Sequence, residues 1–201
     1  MTLTITENPQ AAQGRAQRLK AATRSVHEGV DNAIMSAASF ATLEGYARFL
    51  RIQYLFHRDI EALYADAGLQ AALPGLASRC RMALVLADMA DLGLALPDAD
   101  APAFGADEAV NRGTALGWLY VAEGSNMGAA LLRKEAAKLS LSDSFGARHL
   151  APSGEGPAPH WRAFTAALDA IALSDAEEAL ADAGAKAAFA QVQGHIDAQL
   201  G

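Results

Sequence analysis

The chain has 201 residues, 52% hydrophobic and 19% charged, enough to close the core of one domain and too apolar for global disorder. Its 16 Lys+Arg against 23 Asp+Glu give a net charge of −7, the reverse of a phosphate-tracking nucleic-acid binder, and no segment carries a basic stripe. A single cysteine, Cys80, excludes an intramolecular disulfide and any multi-cysteine metal site. Charges interrupt every apolar stretch before it reaches bilayer length, and MTLTITENPQ lacks the basic and apolar regions of a secretion signal. The expectation is a soluble cytoplasmic protein with no nucleic-acid or membrane partner.

Sparse aromatics (6%) and the lack of β-branched clusters favour helix. Leu19, Ala22, Val26, Val30 and Ala33 form one apolar stripe, which predicts a first helix over about 16–35. Thr42 is a candidate N-cap for a second helix running to about Asp66. Tyr46, Leu50, Gln53, His57, Ile60 and Tyr64 share one of its stripes; Phe49, Ile52, Phe56 and Leu63 share another, so most of its circumference is expected to be buried. A third helix is expected from Pro74-Gly75, with Leu76, Cys80, Ala83 and Leu84 inward. Residues 94–107 read as a loop. A long helix with internal glycines is predicted over about 108–139, then a connection at Pro152–Pro159. A short helix with Trp161, Phe164, Leu168 and Ile171 inward follows. The last helix opens with the capping box Ser174-x-x-Glu177 and carries Phe189, Val192, Ile196 and Leu200 on one side. This pattern is an all-α, single-domain bundle over 15–201, preceded by a flexible segment, 1–14.

In a bundle, ligands sit between facing helices. Lys20, Arg24, His27 and Asp31 lie within about 60° of one another beside the first apolar stripe. Asp31, four residues on, can hold one imidazole nitrogen and leave the other free and more basic, as a metal-ligating histidine requires. A surface Asp–His pair worth a few tenths of a kcal/mol is the plainer alternative. In the run Gly117-Trp-Leu-Tyr-Val-Ala-Glu-Gly-Ser-Asn-Met-Gly128, Gly124 and Gly128 share a face with Tyr120, Met127 and Leu131. Each interior glycine costs about 1 kcal/mol relative to alanine. Such a loss implies close approach of the backbone to a flat object, a bend, or tight packing through small residues. Gln53 and His57 interrupt an apolar stripe and need buried polar or water partners, which Arg81 could join. His149, His160 and His195 are isolated, and no Glu-x-x-His, phosphate loop, GxSxG or GxGxxG occurs.

The runs LKAATRSVHEGVDNAIM and GWLYVAEGSNMGAALL, followed by FGARHL, resemble the haem oxygenases, in particular their small soluble bacterial branch. QYLFHRDIEALY, PGLASRCR and the two terminal helices extend the likeness over most of the chain. The resemblance implies a haem-oxygenase-like helical bundle with haem b, both substrate and cofactor, between a proximal and a distal helix. His27 would be the proximal iron ligand and Asp31 its carboxylate partner, one methylene shorter than the family's usual glutamate. Gly124 and Gly128 would be the distal glycines, with Ser125 grouped among the catalytic residues and Met127 among those that bind haem. Lys20 and Tyr120 match residues that hold one propionate; Arg133 and Lys134 are candidates for the other. Gln53, His57 and Arg81 fall where the branch supports ordered water behind the distal pocket.

The implied reaction uses O₂ and an external reductant, a ferredoxin or flavoprotein reductase, to open protohaem to biliverdin with release of CO and Fe²⁺. The presence of both Lys20 and Tyr120 implies the family's commonest product, the α isomer. A bilin-binding photoreceptor or a biliverdin reductase would act downstream. The rivals are a haem-binding or haem-trafficking protein without turnover, which shares His27 but has no need of the glycine face, and a cofactor-free helical scaffold.

Overall fold

The computed structural model describes residues 14–37, 40–106 and 108–200. All but the last residue of the expected N-terminal segment lies outside them. The described residues form α1 (Arg15–Ala37), α2 (Leu43–Ala65), α3 (Ala67–Ala72), α4 (Met82–Asp91), α5 (Arg112–Ser125), α6 (Ala129–Lys138), α7 (Pro157–Ala170) and α8 (Asp175–Leu200), with no strand among them. Short 3-10 turns stand at Leu76–Arg79 and Arg148–Leu150.

The start of α1 is fastened by charge. Arg15 donates from Nε and a terminal nitrogen to the two oxygens of Glu178 at 2.9 and 2.7 Å and reaches the Ile171 carbonyl at 2.7 Å, while Arg18 Nε holds Asp182 at 3.0 Å. A bidentate fork of this kind fixes direction as well as distance. Beyond it, Leu19, Thr23 and Val30 are buried, yet Arg24 through Gly29 are all exposed. Six consecutive exposed residues mark a part of α1 that the core does not cover.

Thr42 caps α2 as expected, accepting from Gly45 N at 3.1 Å. Both stripes are buried: Tyr46, Leu50, Ile52, Ile60 and Leu63 have no exposed surface. Each large apolar side chain so buried contributes about 1.5–3 kcal/mol. The C-terminal half of α2 packs into a core with α1, α5, α7 and α8, and its N-terminal half into one with α4, α6 and the 141–150 segment.

The backbones of α5 and α8 touch. A Cβ on Gly117 would fall 2.6 Å from Ala185 N, and one on Gly184 would fall 2.5 Å from Thr114 O; Gly113 meets the Glu177 carbonyl just as closely. No side chain fits in this seam. The capping box is present at its far end, with Ser174 N donating to Glu177 at 2.9 Å and Glu177 N to Ser174 Oγ at 3.4 Å.

Three expectations need correction. After Asp66 caps the short α3 through Leu69 N (2.7 Å), Gly75 at φ 76° turns the chain and helix resumes only at Met82. That later start rotates the inward face to Met82, Val85, Asp88 and Met89, leaving Ala83 and Leu84 exposed. The long helix expected over 108–139 is two. Asn111 caps α5 through Thr114 N at 3.1 Å, and the chain turns at Asn126–Gly128 through Met127 N→Gly124 O (3.0 Å) and Gly128 N→Ser125 O (3.1 Å). Two glycines of low helix propensity make this break cheap. Finally, α7 begins inside the expected connection, with Pro157 in its first turn, where a missing N–H costs nothing.

Candidate functional site

A cavity of about 440 Å³ is bounded by α1, α2 and the α5–α6 kink, within the roughly 300–1,000 Å³ typical of small-molecule sites. From α1 it receives His27, Val30, Asp31, Ile34 and Met35, and from α2 Phe49, Gln53, Phe56 and His57. The kink contributes Gly124 to Ala129, Leu131 and Leu132, while Arg81, His149, Leu150 and Val192 complete the lining. His27, Asp31, Gln53, His57, Arg81, Gly124, Ser125, Met127 and Gly128, read from four separate stretches of sequence, therefore meet around one space.

His27 stands in the uncovered stretch of α1, 58% exposed, with its ring 5.3 Å from that of Phe189. Its Nε2 lies 3.4 Å from Asp31 Oδ2, a loose contact that steadies the ring. The other two histidines in the lining are buried and serve differently. His149 Nδ1 and its backbone N both sit on Asp88 Oδ2, at 2.7 and 2.9 Å. With Nδ1 donating to the carboxylate, Nε2 is left as an acceptor, and it has no hydrogen-bond partner within the protein. His57 Nδ1 is equally unpartnered. Such buried polar atoms beside a polar cavity wall are places for ordered water. Arg81 lies between, donating to the carbonyls of His149 (2.5 Å) and Ala151 (3.0 Å). The role of His149 is invisible in sequence because its carboxylate partner is 61 residues away; its place in FGARHL is the available hint.

Burial, then His149 and the Arg81 guanidinium, push His57 down to about 3, and burial lowers His149 in spite of Asp88. Both imidazoles stay neutral while an unfolded histidine titrates near 6.5. The folded form is therefore fully favoured above that value, and the advantage is lost as pH falls from about 6.5 toward 3. Below pH 6 each unit removes about 1.4 kcal/mol for His57 alone. Thermal melts from pH 7 to 4 should show this slope, and His57→Gln should reduce it by about one proton.

Gly124 and Gly128 differ from the seam glycines. A Cβ on Gly128 would meet only Ser125 O, at 3.6 Å, and one on Gly124 only the Trp161 ring, at 3.5 Å, both ordinary contacts. Helix packing explains Gly113, Gly117 and Gly184; it does not explain these two, which line the cavity instead. The Ser125 hydroxyl is turned onto its own helix, donating to Ala122 O at 2.7 Å.

Four expected residues are not in the lining. Lys20 is exposed on α1 two turns before His27. Tyr120 is buried against Trp161, ring centroids 5.5 Å apart, and burial raises its phenol. Arg133 pairs with Asp143, Nε to Oδ1 at 2.6 Å, and edges a neighbouring cleft of about 200 Å³; Lys134 is exposed. Among the described residues no group of three or more His, Cys, Asp or Glu could hold a bare metal ion. A lone half-exposed imidazole suits a metal that brings its own ring of ligands. The one accessible imidazole, the largely apolar walls and the two glycines of the turn fit haem.

A helical fold with one accessible imidazole and two glycines on a shared cavity has the features of a protein class that holds a flat, metal-bearing ring. Comparison with known proteins agrees. The family described as Heme oxygenase matches residues 13–194. Heme oxygenase PigA of Pseudomonas aeruginosa is 46% identical over 175 residues, 87% of each chain. The crystallised NO- and CO-bound heme oxygenase of Neisseria meningitidis superposes with a TM-score of 0.87 at 43% identity, covering 94% of this chain and 93% of its own. The heme oxygenase of Leptospira interrogans, 19% identical, shares the fold with a TM-score of 0.71 over 92% of this chain and all of its own. The chain belongs to the haem oxygenase family, and it is a haem-degrading monooxygenase for which haem is both substrate and cofactor. No helix among the described residues is long and apolar enough to cross a membrane.

Proposed function

We propose that this chain opens protohaem to the α isomer of biliverdin; His27 would hold the iron and the Gly124–Gly128 turn would form the wall that steers oxygen. The observation that supports this most is the meeting of His27 and the two unpacked glycines on one cavity. When bound, haem supplies both the site of oxygen activation and the bond that is cut.

The chain's own groups do the rest. His27 offers a nitrogen to the iron while Asp31 restrains the ring. Gly124 and Gly128 bring backbone where a side chain would collide, and they place no carboxylic acid there to deliver a proton to the wrong oxygen. His57 and His149, neutral and each with an open nitrogen, hold water as a proton source, with Gln53 and Arg81 beside them. Helix packing does not demand glycine at 124 or 128, which favours turnover over storage, since a trafficking protein needs only the imidazole.

Lys20 and Tyr120 are the proposed anchors of one propionate, and Arg133 and Lys134 those of the other. A partly exposed lysine–propionate pair contributes about 0–1 kcal/mol, whereas tenfold selectivity needs about 1.4 kcal/mol. Lys20 therefore needs Tyr120 and the apolar walls to fix one seating of the ring. Lys20→Ala combined with Tyr120→Phe is expected to lower the α fraction and leave the rate largely intact; an unchanged isomer ratio, read by chromatography, would show the anchors to be elsewhere. The electron donor is proposed to be a ferredoxin or flavoprotein reductase, and the compartment the cytoplasm.

The direct test is to titrate haemin and follow the Soret band, then add O₂ with a ferredoxin system and chromatograph the product. Biliverdin is expected. A stable oxygenated complex that never turns over would favour trafficking, and the absence of any Soret change would remove the haem reading.

A further inference from the structure

The residue before Gly124 is a buried carboxylate. Glu123 is 2% exposed, and every group that holds it comes from outside α5. The Tyr64 hydroxyl of α2 donates to Oε1 at 3.0 Å, and Arg79, from the 3-10 turn, donates to Oε2 at 2.8 Å. His160 of α7 lies 3.5 Å from the same oxygen, its Nε2 taken by Arg79 at 2.8 Å. Burial, then Arg79, lower His160 below its ordinary range, and the shortest ionic contact in the cluster is the one between Arg79 and Glu123. Arg79 is itself anchored, 5.6 Å above the Phe164 ring and 3.3 Å from the His160 carbonyl.

Stability does not require this arrangement, because replacing a buried ion pair with well-packed apolar residues is often neutral or better. Removing one partner, by contrast, strands a buried charge. The location carries the meaning. Gly124 has no side chain to fix it, and α5 ends one residue later. The carboxylate is thus the last side chain able to tie the cavity wall to α2, α7 and the 3-10 turn together.

We propose that Glu123 is the positioning residue of the distal turn: clamped by Tyr64 and Arg79, it sets where the Gly124–Gly128 backbone lies over the haem and hence which edge of the ring is oxidised. This rests on the haem position proposed above. Glu123 touches no reacting atom; it acts through Gly124.

The test compares Glu123→Gln, Glu123→Ala and the apolar pair Arg79→Met/Glu123→Leu with the wild type. The measurements are melting temperature, haemin affinity, product isomers, and the C–O stretch of carbon monoxide added to the reduced complex. Glu123→Ala is expected to hold haemin through His27 with near wild-type affinity. Its isomer ratio should move by roughly threefold or more, a change that needs less than the 1.4 kcal/mol of a tenfold ratio, and its C–O band should shift or broaden. Glu123→Gln keeps one acceptor oxygen, enough for Tyr64 or Arg79 but not for both, and should fall between Glu123→Ala and the wild type. The apolar pair leaves no buried charge, so it should recover the melting temperature without recovering the isomer ratio. Wild-type isomers and an unmoved C–O band in the apolar pair would overturn the proposal. Failure of the wild-type chain to turn over haemin would overturn the haem reading, and the clamp's role with it.

Discussion

In His27→Ala, haemin turnover is expected to fall by about 100-fold or more, a loss of over ~2.7 kcal/mol of transition-state stabilisation, while the melting temperature hardly changes. The two halves have separate causes. The ring is more than half exposed, makes one loose contact with Asp31 and one tilted contact with Phe189, so truncation opens no core cavity and strands no buried charge. The same ring is the only half-exposed imidazole of the three in the lining, the others being 5% and 2% exposed. Neither buried histidine can take its place: His149 is held by Asp88 and His57 lies within the packed α2. Exogenous imidazole should restore part of the activity, which a merely structural histidine would not show. Unchanged turnover would remove the ligand assignment.

The second large effect is a contrast between two glycines, one inside α5 and one at the turn that opens α6. Gly128→Leu should leave the melting temperature near that of the wild type, since only Ser125 O stands within contact of a new Cβ. Its side chain enters the space required by the ring, and turnover should drop by about 10²-fold, the scale on which a misplacement of 1 Å is felt. Gly117→Ala should do the opposite. A single methyl would press on the α8 backbone at 2.6 Å, and forcing the helices apart is expected to cost roughly 1–3 kcal/mol, lowering the melting temperature by roughly 2–12 °C. Protein that does fold should still turn haemin over. Melting and activity measured on both variants check the assignment, and full activity in Gly128→Leu would remove the steric account of the distal wall.

The helical class is legible because hydrophobic period and composition are local properties, and α1 and α2 carry them over more than twenty residues each. Where the readout fails, a distant partner decides. The inward face of α4 depends on where helix resumes after a left-handed glycine. The α5–α6 break is closed by Met127 N→Gly124 O and Gly128 N→Ser125 O, and two glycines in a helical run do not by themselves say whether the helix bends, packs or ends. On the site, His27–Asp31 and Gly124–Gly128 are visible since each pair lies within four residues on one helix or turn. The histidine–carboxylate pairs His149–Asp88 and His195–Asp59 are 61 and 136 residues apart, so no spacing rule finds them. Glycine itself is ambiguous in sequence: Gly117 and Gly124 stand in one run, one jammed against backbone and the other in ordinary contact range of a ring.

The contact between the α5 and α8 main chains partitions this molecule for evolution. Along that keel nearly any substitution drives two helices apart, so natural variants should be monotonous there. The margins of the pocket obey no such rule: Met35, Met127 and Leu131 are 61%, 43% and 63% exposed and bear little of the core. Lineages that drift toward another bilin should therefore record that history on α1 and α6, while α8 stays silent.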